Sequence, residues 1–227
     1  MYYTGYYSKS MAITGKVKFL SLAALAAFFL VIAVAVANGK TANFDIGVSN
    51  YIYSLRNPAA TAIMHGISSV SSTPATGLLT AVVIAAFWFK NRRKTALFFG
   101  ATLLVSVIAN NAIKYSVHRF RPDIAPLEDA SFYSFPSGHS MNSLVFYGAL
   151  LYIARKSIKN KHLLAAFDIA AIIFVASVGF SRIYLGAHYP TDVIAGFVAG
   201  TCVLLAVIAT TEKNNFQKGS NPRINEG

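Results

Sequence analysis

Three groups of residues in this chain carry side chains suited to holding and cleaving an anion. The first is Lys114-Tyr-Ser-Val-His-Arg-Phe-Arg121-Pro122, a lysine followed by an arginine fixed by proline. Alone it reads equally as basic residues favourably placed against a helix dipole. His118 and Arg119 within it are read as solvated or interfacial. The second is Phe135-Pro136-Ser137-Gly138-His139, a turn directly before a helix, where backbone N–H groups lacking intrahelical partners can bind phosphate. Ser137 also suits an N-cap there. The third is Ser181-Arg182-Ile-Tyr-Leu-Gly-Ala-His188-Tyr-Pro-Thr-Asp192. His188 and Asp192 are four apart, so a helical turn sets them on one face within hydrogen-bonding reach. They are a nucleophile with its orienting acid, or a pair of metal ligands. A divalent ion would sit among Lys114, Arg121 and Arg182, which repel it, so no metal is expected. Three cations with two histidines and one acid form an anion site first of all.

These groups act together only if the chain brings them to one level, and the composition says how. Of 227 residues, 55% are hydrophobic and 12% charged, far from the roughly one-quarter charged share of soluble proteins. The pattern predicts one all-α polytopic membrane domain over residues 1–227, a bundle of six transmembrane helices. The spans are Phe19–Ala37, Ser71–Phe89, Thr95–Ile113, His139–Ala154, Leu163–Phe180 and Thr191–Thr211, set by the ~20 apolar residues a crossing needs. The second is the weakest, with Ser, Thr and Pro74 crowding its first turn. With the N-terminus inside, 14 of the 20 Lys and Arg residues fall in cytoplasmic segments, at Lys9–Lys18, Lys90–Lys94, Arg155–Lys161 and Lys213–Arg223. Basic residues favour that side. Both termini are therefore expected in the cytoplasm and all three groups at the extracytoplasmic end of the bundle. The formal charge of +12 is scattered in short clusters between apolar runs, which argues for topology and against nucleic acid.

In order and internal spacing, Lys-x6-Arg-Pro, Pro-Ser-Gly-His and Ser-Arg-x5-His-x3-Asp resemble the three motifs of the type 2 phosphatidic acid phosphatase superfamily, with no motif position departing. Each piece is weak alone; three in order are specific. The motifs cover Lys114 to Asp192, and the family's six-span architecture extends the resemblance from about Phe19 to Thr211. Size and span count are most similar to the small bacterial phosphatidylglycerophosphatase B type. The resemblance implies a lipid phosphate phosphatase of the cell membrane that needs no cofactor. His188 would attack phosphorus to form a phosphohistidine, Asp192 would fix its tautomer, and His139 would protonate the leaving oxygen and then activate water. Lys114, Arg121 and Arg182, with Ser137 and the backbone at Gly138, would hold the non-bridging oxygens. The implied substrate is phosphatidylglycerol phosphate, with undecaprenyl pyrophosphate or phosphatidic acid as alternatives. A main role as an undecaprenyl pyrophosphate phosphatase, or a non-enzymatic lipid transporter, stays open. Vanadate-dependent haloperoxidases share such a site, but they are soluble.

Other features read more plainly. The outer segment from Asn38 to about Val70 is a connector or lies on the membrane surface. Phe132, Tyr133 and Phe135 are placed at the site entrance or as ordinary interfacial aromatics. Lys16, Lys18 and the apolar run to Ala37 resemble a signal peptide, but the run is long for one and is read as uncleaved. Gly196-x-x-x-Gly200 predicts close helix packing inside the bundle, with a monomer favoured. Asp168 is expected to reach the cytoplasmic interface. The single cysteine, Cys202, allows no intrachain disulfide and is read as a small buried hydrophobe.

Overall fold

The computed structural model describes residues 3–123, 126–128 and 133–219, with side chains described between 17 and 213 of these. The described residues form eight helices: α1 (Tyr3–Ala37), α2 (Ala42–Ser54), α3 (Pro58–Val70), α4 (Thr73–Phe89), α5 (Arg93–Val117), α6 (Gly138–Ser157), α7 (Lys161–Tyr184) and α8 (Pro190–Gly219). Their starts follow local chemistry. Asn57, Ser72, Ser137 and Asn160 each accept a backbone N–H of the first turn, and prolines occupy the first turn of α3 and α4. α5 stops at His118, which takes a left-handed conformation (φ 54°) and returns its N–H to the carbonyl of Lys114.

Among the described residues, four helices are long and apolar enough to cross a membrane: Val17–Ala37 of α1, α5, α7 and Pro190–Lys213 of α8. α3 and α4 qualify only as a pair, bent by 48° at Ser71–Ser72, and count as a fifth. The expected second span is thus the lower limb of a broken helix. α6, expected as a span over 139–154, falls short on apolarity, so six spans exceed the four or five that length and composition support. The physical reason is position. α6 is surrounded by α5, α7 and α8, and its buried face carries Ser140, Ser143 and Ala149 among Met141, Val145, Phe146 and Ile153. A helix with protein neighbours selects small residues for close approach rather than bulk apolarity.

The bundle is sorted for lipid. α1 and α7 leave Phe28, Val31, Val34, Phe167, Ile169 and Ile172 exposed, whereas the interior between α5 and α6 is built on Phe99, Leu103, Val145 and Phe146. Gly196 and Gly200 of α8 lie against α6: a Cβ on Gly196 would meet the Ser137 carbonyl at 2.7 Å, and one on Gly200 the Met141 carbonyl at 2.9 Å. The small-residue pair is therefore used within the bundle. At one end the basic clusters gather. Lys18 pairs with Glu212, Arg92 bonds the hydroxyl of Ser157, and Arg155 reaches Asp168. At the other end, the segment read as a connector or as lying on the membrane surface is two helices, α2 and α3, packed on α7 and α8.

Candidate active site

The end opposite the basic clusters holds a cavity of about 850 Å³ between the starts of α4 and α6 and the ends of α5 and α7. Lys114, Arg121, Gly138, His139, Arg182 and His188 all line it. The structure thus brings together residues from all three sequence groups. Asp192 lies behind His188, fully buried. Ser137 is placed differently from the expectation. Its hydroxyl is fully buried, caps α6 through the Ser140 N–H and takes the Ser140 hydroxyl at 3.0 Å, so it organises the helix start instead of facing the cavity. Gly138 does face the cavity, and a Cβ there would come within 3.1 Å of Asn110 Oδ1.

Each side chain is aimed by a short tether. Lys114 Nζ donates to the Tyr133 carbonyl at 2.6 Å, joining the end of α5 to the strand of loop that leads into α6. That loop is pinned to the segment after α5 by Ser134, whose N–H and hydroxyl reach the carbonyls of Arg119 and Phe120. Arg121 Nη1 donates to the Ala187 carbonyl at 2.7 Å and stands 3.2 Å from His188 Nε2. Arg182 is almost wholly buried. Its Nη1 donates to both oxygens of Glu128, at 3.0 and 2.8 Å, and to the hydroxyl of Ser68. The turn from α7 to α8 is wound tightly, with Gly186 at φ 75° and the N–H groups of Ala187 and His188 both returning to the Arg182 carbonyl. That turn delivers His188 to the cavity wall.

His188 Nδ1 lies 3.5 Å from Asp192 Oδ2, on the expected face but beyond hydrogen-bond length. Burial, and then the fields of Arg121, Lys114 and Arg182, hold the imidazole well below its usual pKa of 6.5, so it is neutral. His139 Nε2 is buried without a hydrogen-bond partner among the described residues. Glu128 is held below the usual carboxylate range: burial pushes it up, but the Arg182 hydrogen bond and charge outweigh that.

Arg119 corrects the sequence reading. It is partly buried, with its side chain 14% exposed, rather than solvated, and its guanidinium bridges two carboxylates, Asp192 Oδ1 at 2.7 Å and Asp45 Oδ2 at 2.6 Å. Burial pulls its pKa down, and the two acids more than restore it. Asp45, on α2, also accepts from the N–H and hydroxyl of Thr191, the residue beside Asp192. The aromatic expectation divides. Tyr133 lines the cavity, Phe135 is fully buried against Phe29, and Phe132 lies outside the described residues.

A bundle of membrane helices with a buried histidine–aspartate pair behind a cavity of cations defines a class, and comparison with known proteins agrees. The PAP2 superfamily model matches residues 95–216. The chain belongs to the PAP2 superfamily and is a membrane-embedded phosphatase. It is 32% identical over 188 residues to phosphatidylglycerophosphatase B of Bacillus subtilis (strain 168), covering 82% of this chain and 92% of that one. It is 30% identical over 131 residues to undecaprenyl-diphosphatase BcrC of the same organism, covering 54% and 63%. The crystal structure of the transmembrane PAP2 type phosphatidylglycerolphosphate phosphatase from Bacillus subtilis superposes with a TM-score of 0.79 at 30% identity, covering 85% of this chain and 96% of that one.

Proposed function

We propose that the chain hydrolyses the phosphomonoester of phosphatidylglycerol phosphate at the extracytoplasmic face of the cell membrane, without a metal, through a phosphohistidine on His188. The observation that carries this reading is the neutral His188 Nε2 on the wall of a cavity shared with Lys114, Arg121 and Arg182. The phosphate oxygens take the three cations and the N–H groups of the first turn of α6, which lack intrahelical partners. His188 Nε2 attacks phosphorus in line, a P–N bond forms and the P–O bond to the lipid alcohol breaks. Asp192 stabilises the positive ring that results. His139 acquires its proton with the phosphate dianion beside it, which favours the imidazolium, and donates it to the leaving oxygen. Neutral His139 then takes a proton from water, whose oxygen attacks phosphorus and releases His188.

The likeness to phosphatidylglycerophosphatase B over most of both chains supports this substrate first. A second reading, hydrolysis of undecaprenyl diphosphate, is supported by the shorter match to BcrC. α6, enclosed in the bundle, serves as the sixth crossing, and the basic end faces the cytoplasm with both termini. The test is phosphate release from detergent-solubilised protein in excess EDTA, for both lipids, with wild type and His188→Ala. Release from phosphatidylglycerol phosphate that EDTA spares and the substitution abolishes is expected. Release blocked by EDTA overturns the metal-free mechanism, and faster release from undecaprenyl diphosphate moves the chain to the second reading.

A further inference from the structure

Below the cations the cavity wall changes character. α5 runs towards the site, so Asn110 and Asn111, four and three residues before Lys114, lie one turn deeper, about 5 Å by helical rise. α6 runs away from it, so Asn142, three residues after His139, lies at the corresponding depth. Val107 lines the cavity a further turn down. In order of depth, the wall is cationic, then amide, then aliphatic.

The amides are set in complementary roles. Asn142 Oδ1 accepts the Ser106 hydroxyl at 2.7 Å, which leaves its NH₂ group as the part it can offer a ligand. Asn110 is reversed: its NH₂ is directed to the Pro136 carbonyl and the Met141 sulfur, and its Oδ1 faces Gly138 on the cavity wall. Asn111 is accessible from the cavity. A hydroxyl both donates and accepts, so it can satisfy one amide of each orientation. Uncharged amides cannot neutralise a second full negative charge directly beyond the first. Such residues are costly on helices built for lipid unless something polar meets them.

We infer that Asn110, Asn111 and Asn142 form a subsite for a hydroxyl on the alcohol that carries the phosphate. The substrate is then a phosphorylated polyol headgroup, with a neutral hydroxylated link between its terminal phosphate and the rest of the lipid. This rests on the phosphatase reading above and narrows it. A simple alkyl phosphate fills the cation level equally well but offers the amides nothing.

The experiment compares kcat/KM for phosphatidylglycerol phosphate and for dodecyl phosphate, with wild type, Asn142→Leu and Asn111→Leu. Asn111 is accessible, so its variant keeps the test open if Asn142→Leu misfolds. Wild type is expected to prefer the glycerol substrate. Asn142→Leu should lower that preference about tenfold, the scale of one good hydrogen bond, and Asn111→Leu in the same direction. A preference unchanged in the variants, whether or not both rates fall together, overturns the subsite. So does a wild type that cleaves the two equally. A wild type that releases phosphate from neither refutes the phosphatase reading itself.

Discussion

Nη1 of Arg121 stands 3.2 Å from Nε2 of His188. A guanidinium has only donors, so Nε2 accepts, and the ring proton belongs on Nδ1, the nitrogen that faces Asp192. In the proposed mechanism the contact would store His188 in the tautomer that attack requires, and an arriving phosphate oxygen would take over the Arg121 donor as Nε2 turns to phosphorus. Arg121→Ala is expected to lower kcat/KM about a hundredfold or more. Arg121→Lys should recover little of this, because a point charge cannot reach the Ala187 carbonyl and the phosphate together. Rates for the lysine variant within a few-fold of wild type would show that charge alone suffices.

The suppressed basicity of His188 predicts a pH dependence of stability. Folded His188 stays neutral well below 6.5, while the unfolded chain takes up a proton there below about 6.5. The unfolded state then binds more protons, so stability falls as pH drops below about 6.5, by at most about 1.4 kcal/mol per pH unit from this group. His188→Asn should flatten the fall in Tm measured between about pH 6.5 and 5. An equal slope in the variant would assign the acid sensitivity elsewhere.

In the proposed mechanism Arg119 would act on the reaction through Asp192, which it bonds. Arg119→Ala would leave Asp45 and Asp192 buried on either side of a missing cation, a loss that costs about 3–5 kcal/mol in comparable networks. Asp45→Asn is the gentler probe, since the amide oxygen can still accept from Thr191. Neither residue lines the cavity, so Asp45→Asn is expected to lower kcat with little change in KM. Wild-type kcat and Tm in that variant would leave the α2 contact without a part in the chemistry.

This network also marks what the sequence could reveal. Lys114, Arg121, His139, Arg182, His188 and Asp192 were legible as candidates because each sits in one of three short motifs whose order and internal spacing resemble a known family's, although only His188 and Asp192 are partners by local spacing. Arg119 lies in such a segment too, but its meaning depends on Asp45, 74 positions earlier in a stretch with no pattern of its own. Glu128 was missed for the same reason, its partners Arg182 and Ser68 being distant in sequence. Ser137 was legible as both phosphate ligand and N-cap, and only the packing of α6 beneath it separates these. The break at Ser71–Ser72 was signalled by Pro74 and the cluster of Ser and Thr, yet its consequence, a bent pair standing for one span, needed the site-end helix α3 packed on α7.

Glu128 is paired with Arg182, the arginine proposed to bind a phosphate oxygen. Its carboxylate lines the cavity and is bound by the guanidinium through both oxygens. If Arg182 binds phosphate as proposed, phosphate must displace that ion pair or share the arginine. Glu128→Gln removes the competing charge and should tighten inhibition by inorganic phosphate, about tenfold if one charged hydrogen bond is released. A weaker inhibition would mean that Glu128 positions Arg182 instead of competing for it, and Glu128→Ala would then weaken it further.

Gly196 sets the spacing between the helix that carries Asp192 and the one that carries His139. An added Cβ would stand 2.7 Å from the Ser137 carbonyl and 3.1 Å from Ser140 Cβ, both belonging to the packed start of α6 and unable to swing aside. Gly196→Ala must therefore push α8 from α6 where the two histidines are brought to one cavity. Overpacking of this kind costs about 1–3 kcal/mol. Misplacing catalytic groups by about 1 Å can cost about a hundredfold in rate, so activity should fall further than Tm suggests. Gly77 of α4 supplies the control: it meets nothing within 4 Å, and Gly77→Ala should leave both quantities unchanged or raise Tm slightly through helix propensity. If Gly196→Ala matched that control, the spacing of α6 and α8 would have slack, and alignment of His139 with His188 would have to come from the loop through Lys114 and Tyr133 instead.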